Sequence, residues 1–162
     1  MTSNFVMTDL DYTIINSAHR CRYNPDGSLD LDYWRANCTR EKIFQDTLLP
    51  LANTWRKLQM RHDCKIIVCT ARVISQDDID FLAHHGLRYD VLLSRKEGDN
   101  TPDDLLKLFA LKKYASSIGM SWALFCAKCF AYDDNDAILS MLSKHHITTY
   151  DAKILNNALR RA

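Results

Sequence analysis

Short apolar runs alternate along the chain with longer stretches in which apolar positions recur every three or four residues. Phe5–Thr8 reads as a short buried strand running into Asp9-Leu10-Asp11. Residues 42–62 carry Ile43, Leu48, Leu51, Trp55 and Leu58 at helical spacing and predict one helix. Lys65–Cys69 predicts a second strand ending at Thr70, residues 76–85 a helix stopped by Gly86, and Val91–Leu93 a third strand. Pro102 precedes a helix predicted from about Leu105 to Tyr114. A shorter helix is expected near Met120–Phe125, and a fourth strand at Cys129–Tyr132, leading into Asp133-Asp134. A helix over about 137–145 and a last strand around Ile147–Tyr150 complete the pattern. Strands separated by helices in this way build βαβ units, so the fold class is α/β with a mainly parallel sheet.

Residues 16–41 break the alternation. Pro25-Asp26-Gly27 between short mixed runs predicts a hairpin turn, and the segment reads as a flap inserted after the first strand. With 162 residues the chain is expected to form one domain, residues 1–162, of which 16–41 is the flap. Composition narrows the partners. The 21 Lys and Arg nearly cancel 20 Asp and Glu, leaving a net charge of +1 and no global field to attract a polyanion or a membrane. Residues 1–11 lack a basic region followed by a long apolar one, and no apolar run approaches the roughly 20 residues that cross a bilayer. A cytoplasmic, reducing setting is therefore expected, with six free thiols. Cys126 and Cys129 form a CxxC without a second ligand pair at zinc spacing and are expected to be buried thiols.

The chemistry lies where the acids fall. Asp9 and Asp11 follow the first strand, and Asp133 and Asp134 follow a late one. Ligands of open parallel sheets bind beyond the carboxyl ends of the strands, so both pairs are expected to converge there. Carboxylates that close repel unless a cation lies among them, and all-oxygen ligation suits Mg²⁺.

These residues carry a resemblance. Asp9-Leu-Asp11-Tyr-Thr13 resembles the first motif, DxDx(T/V), of the haloacid dehalogenase (HAD) superfamily, with Tyr12 where many members have glycine. Thr70, Lys107 and Asp133-Asp134 resemble its second, third and fourth motifs, in order along nearly the whole chain. The likeness is closer still to the 3′-phosphatase domain of bacteriophage-type polynucleotide kinase–phosphatases. Arg20 stands eleven residues after Asp9, Arg72 follows Thr70-Ala71, and residues 95–107 resemble that family's R-x-x-GD-x-x-x-DD-x-x-K run. No GxxxxGK[ST] is present, so kinase activity is not expected.

The resemblance implies a HAD-like Rossmannoid three-layer sandwich and a Mg²⁺-dependent phosphatase acting through an aspartyl-phosphate. Asp9 would be the nucleophile and Asp11 the general acid and base. Asp9, Asp11, Asp133 and Asp134 would hold the metal, Asp11 through its backbone carbonyl. Thr70, Arg72, Lys107 and Arg20 would bind phosphate. The implied substrate is a phosphorylated nucleic-acid 3′ end, as in nucleic-acid repair. Two alternatives stand beside it: a nucleotidase or other small-molecule phosphatase, and a non-catalytic domain that binds nucleic-acid ends or phosphate. Arg22, Tyr23, Tyr33, Trp34, Arg35 and Arg40 interleave charge with aromatic rings, as suits either stacking a base or burying the flap.

Overall fold

The computed structural model describes residues 4–162; Met1–Ser3, part of the stretch read for a leader, lie outside it. The first strand, β1 (Asn4–Thr8), leads through a tight turn to β2 (Ile15–Asn16). An excursion follows, containing a 3-10 turn at Ala18–Arg20, α1 (Leu31–Ala36) and α2 (Arg40–Ile43). It closes at β3 (Thr47–Leu48), which pairs antiparallel with β2. Beyond it come α3 (Leu51–Leu58), β4 (Cys64–Cys69), α4 (Gln76–His84), β5 (Val91–Leu93) and α5 (Asp103–Ser117). The chain continues through α6 (Trp122–Lys128), β6 (Cys129–Asp133), α7 (Asp136–Lys144), β7 (Thr148–Asp151) and α8 (Ala152–Arg161).

The five longer strands form one sheet in the order β5-β4-β1-β6-β7, parallel throughout. Strand residues alternate between two cores, as the period of two requires. Phe5, Met7, Ile67, Cys69 and Ala131 pack with Leu111 and Ala115 of α5, Phe125 of α6 and Leu142 of α7. Val6, Ile66 and Val68 pack on the other face with Leu51 and Trp55 of α3, Phe81 and Leu82 of α4, and Ala152 of α8. Each large apolar side chain so buried contributes about 1.5–3 kcal/mol relative to exposure. The result is the three-layer α/β sandwich expected. Among the described residues no helix is long and apolar enough to cross a membrane.

Three expectations need correction. The helix predicted over 42–62 is broken: α2 ends at Ile43, β3 intervenes, and α3 starts only after Pro50. Apolar spacing alone cannot see that Pro50 has no N–H to give a preceding turn or that Asp46 is occupied by a buried arginine. The hairpin turn exists, with Asn24 N donating to Ser28 O and Gly27 at φ +84, but only the Tyr23–Leu29 bridge flanks it. Helices capped by Asp30 and Thr39 occupy the rest, and the excursion spans residues 17–46 rather than 16–41. Finally, α8 has no sequence-based counterpart. It buries only Ala152 and Asn156, too little apolar surface to mark a helix, although Asp151 caps it. Asn156 donates to Thr13 O (3.0 Å) and accepts from Leu51 N (2.9 Å), stapling α8 to the turn after β1.

Candidate active site

Strand register brings the acids together. Thr8 lies beside Val68 of β4 on one side and Tyr132 of β6 on the other. The residues that follow each strand therefore leave the sheet at a shared edge, on both sides of the point where strand order reverses. Asp9 N donates to Tyr132 O at 3.0 Å, and Thr70 N to Leu93 O at 2.9 Å, which pins both loops to the sheet.

At that edge, carboxylate oxygens of Asp9, Asp133 and Asp134 lie within 4.8 Å of one another. Lys107 enters from α5, only 2% exposed, its Nζ donating to Asp9 Oδ1 (2.9 Å) and Asp133 Oδ2 (2.6 Å). Lys112 and Lys113, on the same helix, are exposed. The entry of α5 is fixed by Arg95, which donates to Ala71 O (2.6 Å), Asp99 O and Thr101 O (both 2.8 Å) and Asp103 Oδ1 (2.6 Å). Much of the Arg95–Lys107 run thus builds the loop that delivers the lysine. Asp133 Oδ1 also accepts from Asn135 N at 3.0 Å, where α7 begins.

Electrostatics follow from this crowding. Burial pushes the Asp9 carboxyl up to about 7, with Lys107 opposing and Asp133 and Asp11 adding to the rise. Burial and the Asp133 charge likewise raise Asp134 to about 6. Burial disfavours the Lys107 ammonium, but Asp9 and Asp133 outweigh it and keep the amine protonated well above its ordinary range. Three carboxylates facing one ammonium leave the cluster short of positive charge. Its all-oxygen donors fit a hard divalent cation, and Mg²⁺ suits them better than zinc.

Asp11 stands apart from that trio. Its Oδ1 accepts from Ser17 Oγ (2.8 Å) and Arg72 Nη1 (3.3 Å). Arg72 is held in turn by Asp78 (2.8 Å), whose other oxygen takes the N–H and hydroxyl of Ser75 in the capping box of α4. The Arg72 Nε is buried without a partner among the described residues. Thr70 is buried at the end of β4, its hydroxyl 3.4 Å from Arg72 N.

Arg20 departs from expectation. It has no exposed surface, and its Nε and Nη2 bond Asp46 (2.8–3.2 Å) while Nη1 reaches Cys38 Sγ (3.3 Å). Its guanidinium lies 4.2 Å from the Trp34 ring centre. The free phosphate grip expected of Arg20 gives way to a buried ion pair inside the flap, because Asp46 takes the fork that a phosphate would need. All six cysteines are free, and Cys126 and Cys129 are buried.

Sequence reasoning missed Ser17, Asp46 and Asp78 as parts of this region. Asp78 was findable, since Ser75-x-x-Asp78 is a capping-box spacing. Ser17 and Asp46 leave no such trace, because nothing in spacing tells a buried partner from a surface polar residue.

A parallel sheet with Asp9-x-Asp11 at its central strand and acids at the neighbouring strand end defines a hydrolase of the HAD phosphatase kind. Solved structures agree on the fold. A chain of a Pnkp1/Rnl/Hen1 RNA repair complex superposes with TM-score 0.64 at 20% identity, over 92% of this chain and 42% of that one. A haloacid dehalogenase-like hydrolase from Streptococcus pneumoniae gives TM-score 0.63 at 10% identity, over 92% of this chain and 84% of its own. The family model described as bacteriophage T5 5′-deoxynucleotidase matches residues 2–162, and the chain belongs to that family. It is 31% identical over 178 residues to the 5′-deoxynucleotidase of Escherichia phage T5, covering 97% of this chain and 70% of that protein.

Proposed function

We propose that the protein is a Mg²⁺-dependent 5′-nucleotidase that hydrolyses deoxynucleoside monophosphates through an aspartyl-phosphate. The observation that carries this reading is the different housing of two carboxylates one residue apart. Asp9 sits in the acid cluster against Lys107, whereas Asp11 is held outside it by Ser17 and Arg72. One is suited to attack, the other to move protons.

Asp9, Asp133 and Asp134 would hold the cation, together with the backbone carbonyl of Asp11. When bound, the metal offsets phosphate charge that would otherwise repel an anionic nucleophile. An Asp9 oxygen attacks phosphorus in line, forming the aspartyl-phosphate as the bond to the nucleoside 5′ oxygen breaks. Asp11 gives its proton to that oxygen, then takes one from the water that cleaves the acyl-phosphate. Lys107 stabilises charge on Asp9 and the transferring group, and Thr70 donates its hydroxyl to a phosphoryl oxygen. The unpartnered Nε of Arg72 is a further donor beside Asp11. An intracellular setting, in keeping with six free thiols, belongs to the same reading.

A polynucleotide 3′ end is the second reading, favoured by the Arg95–Lys107 run and the Arg20–Arg72 pair. It is the weaker one, since Arg95 is spent on loop carbonyls and Arg20 on Asp46. Phosphate release with Mg²⁺ should be measured from the four 5′-deoxynucleotides, their ribose counterparts and a 3′-phosphorylated oligonucleotide. We expect the deoxynucleotides to be preferred at least tenfold in kcat/KM. Faster turnover of the oligonucleotide would install the second reading. Phosphate release undiminished in Asp9→Asn would end both.

A further inference from the structure

Tyr12 stands between Asp11 and Thr13 with φ +58, in the left-handed region where a bulky side chain is strained and glycine is at ease. The backbone turn is closed by Tyr12 N donating to Ile15 O at 2.8 Å and by Leu10 O accepting from Thr13, Ile14 and Ile15, and the tyrosine side chain adds contacts of its own. Tyr12 Oη donates to Cys21 Sγ at 3.3 Å and lies 3.0 Å from Tyr23 Oη. Because the single Tyr12 proton faces Cys21, Tyr23 is the donor in the second bond. The Cys21 thiol donates to Ser17 O at 3.4 Å, and the fully buried Ser17 donates its hydroxyl to Asp11 Oδ1 at 2.8 Å. Ser17 starts the 3-10 turn but makes no side-chain cap bond there, because its hydroxyl is turned to Asp11. A chain of hydrogen bonds therefore runs Tyr23, Tyr12, Cys21, Ser17, Asp11, leaving the turn after β1 through Tyr12 and returning to the residue next to it.

We propose that Tyr12 is a positioning residue that ties the base of the flap to the turn after β1, so that Ser17 aims the Asp11 carboxyl at the leaving oxygen. The proposal rests on the phosphatase reading above for the role of Asp11, but on no particular substrate. It has a chemical signature. A poor leaving group, such as a nucleoside alkoxide or phenolate, needs the proton of Asp11, whereas p-nitrophenolate departs without it. Loss of the tie should therefore slow the first kind of substrate and spare the second.

The test compares kcat/KM for phenyl phosphate and p-nitrophenyl phosphate in the wild type, Tyr12→Phe and Tyr12→Gly. General acid catalysis is commonly worth about 10²–10⁴-fold, and misaiming should remove roughly tenfold of it. Phenyl phosphate turnover should fall by that factor in both variants, with p-nitrophenyl phosphate within about twofold. Tyr12→Gly should melt no lower than the wild type, since it relieves the strained backbone. Ser17→Ala should give the same selective loss, and adding Tyr12→Phe to it should cost little more. An unchanged ratio of the two substrates, or an equal fall in both, overturns the proposal. If the wild type hydrolyses both aryl phosphates but no nucleotide, the nucleotidase reading fails while the ratio still judges the tie.

Discussion

The strand-end cluster and the flap lie side by side but are built on opposite principles. In the cluster, backbone register does the placing: once Thr8 pairs with Tyr132, the acids that follow those two residues must meet. In the flap, little regular pairing exists beyond β2 and β3, and side chains hold the shape: Arg20 on Asp46 and Arg22 on Asp30. A substitution in the cluster should therefore damage chemistry more than architecture, and one in the flap the reverse.

The sharpest division comes from Asp9→Asn. Loss of the proposed nucleophile should lower kcat by about 10⁴-fold or more, roughly 5.5 kcal/mol of barrier, without loss of melting temperature. A folded but fully active variant would break the comparison on its cluster side. The flap side is tested by Asp46→Ala, which strands a buried guanidinium and should cost about 3–5 kcal/mol by chemical denaturation. Replacing both partners, Arg20→Met with Asp46→Leu, should recover most of that stability. If the double variant is no better than the single one, Arg20 needs Asp46 for more than charge.

Lys107→Met should reduce kcat by about 10²–10³-fold, or roughly 3–4 kcal/mol, read from steady-state rates with saturating Mg²⁺. The metal itself should stabilise the fold by about 2.7 kcal/mol at a hundredfold excess over its dissociation constant. Without it, the sign of the pH effect is fixed. Burial raises Asp9 from 3.8 to about 7, so the folded state binds the extra proton and metal-free stability falls as pH rises between those values. Melting curves with EDTA across that window should show the fall, and Mg²⁺ should flatten it. Smallest of all is Arg22→Ala: its side chain is 63% exposed, so less than about 1 kcal/mol is expected.

The same division explains what the sequence could reveal. Strand ends were legible because an apolar run followed by Asp9-x-Asp11 or Asp133-Asp134 states both the backbone and the chemistry. Lys107 was legible as a motif position, although only its burial separates it from Lys112 and Lys113. The break in the helix predicted over 42–62 was half visible in Pro50, while the pairing of Asp46 across the flap was not visible at all. Tyr12, a departure from glycine in the motif, keeps the left-handed turn that glycine would give, and spends its hydroxyl on Cys21 and Tyr23, which spacing does not announce. Periodicity reports which face is buried; it carries nothing about which polar groups find each other.

One contact has a bearing on biosynthesis. Asn156, on α8, grips the carbonyl of Thr13 and the amide of Leu51, under the turn that carries Asp9 and Asp11. A chain growing on the ribosome possesses every acid of the cluster once Asp134 has emerged, yet the floor of the turn after β1 is still unmade. The turn that presents Asp9 and Asp11 thus takes its final support from a helix made after every acid of the cluster.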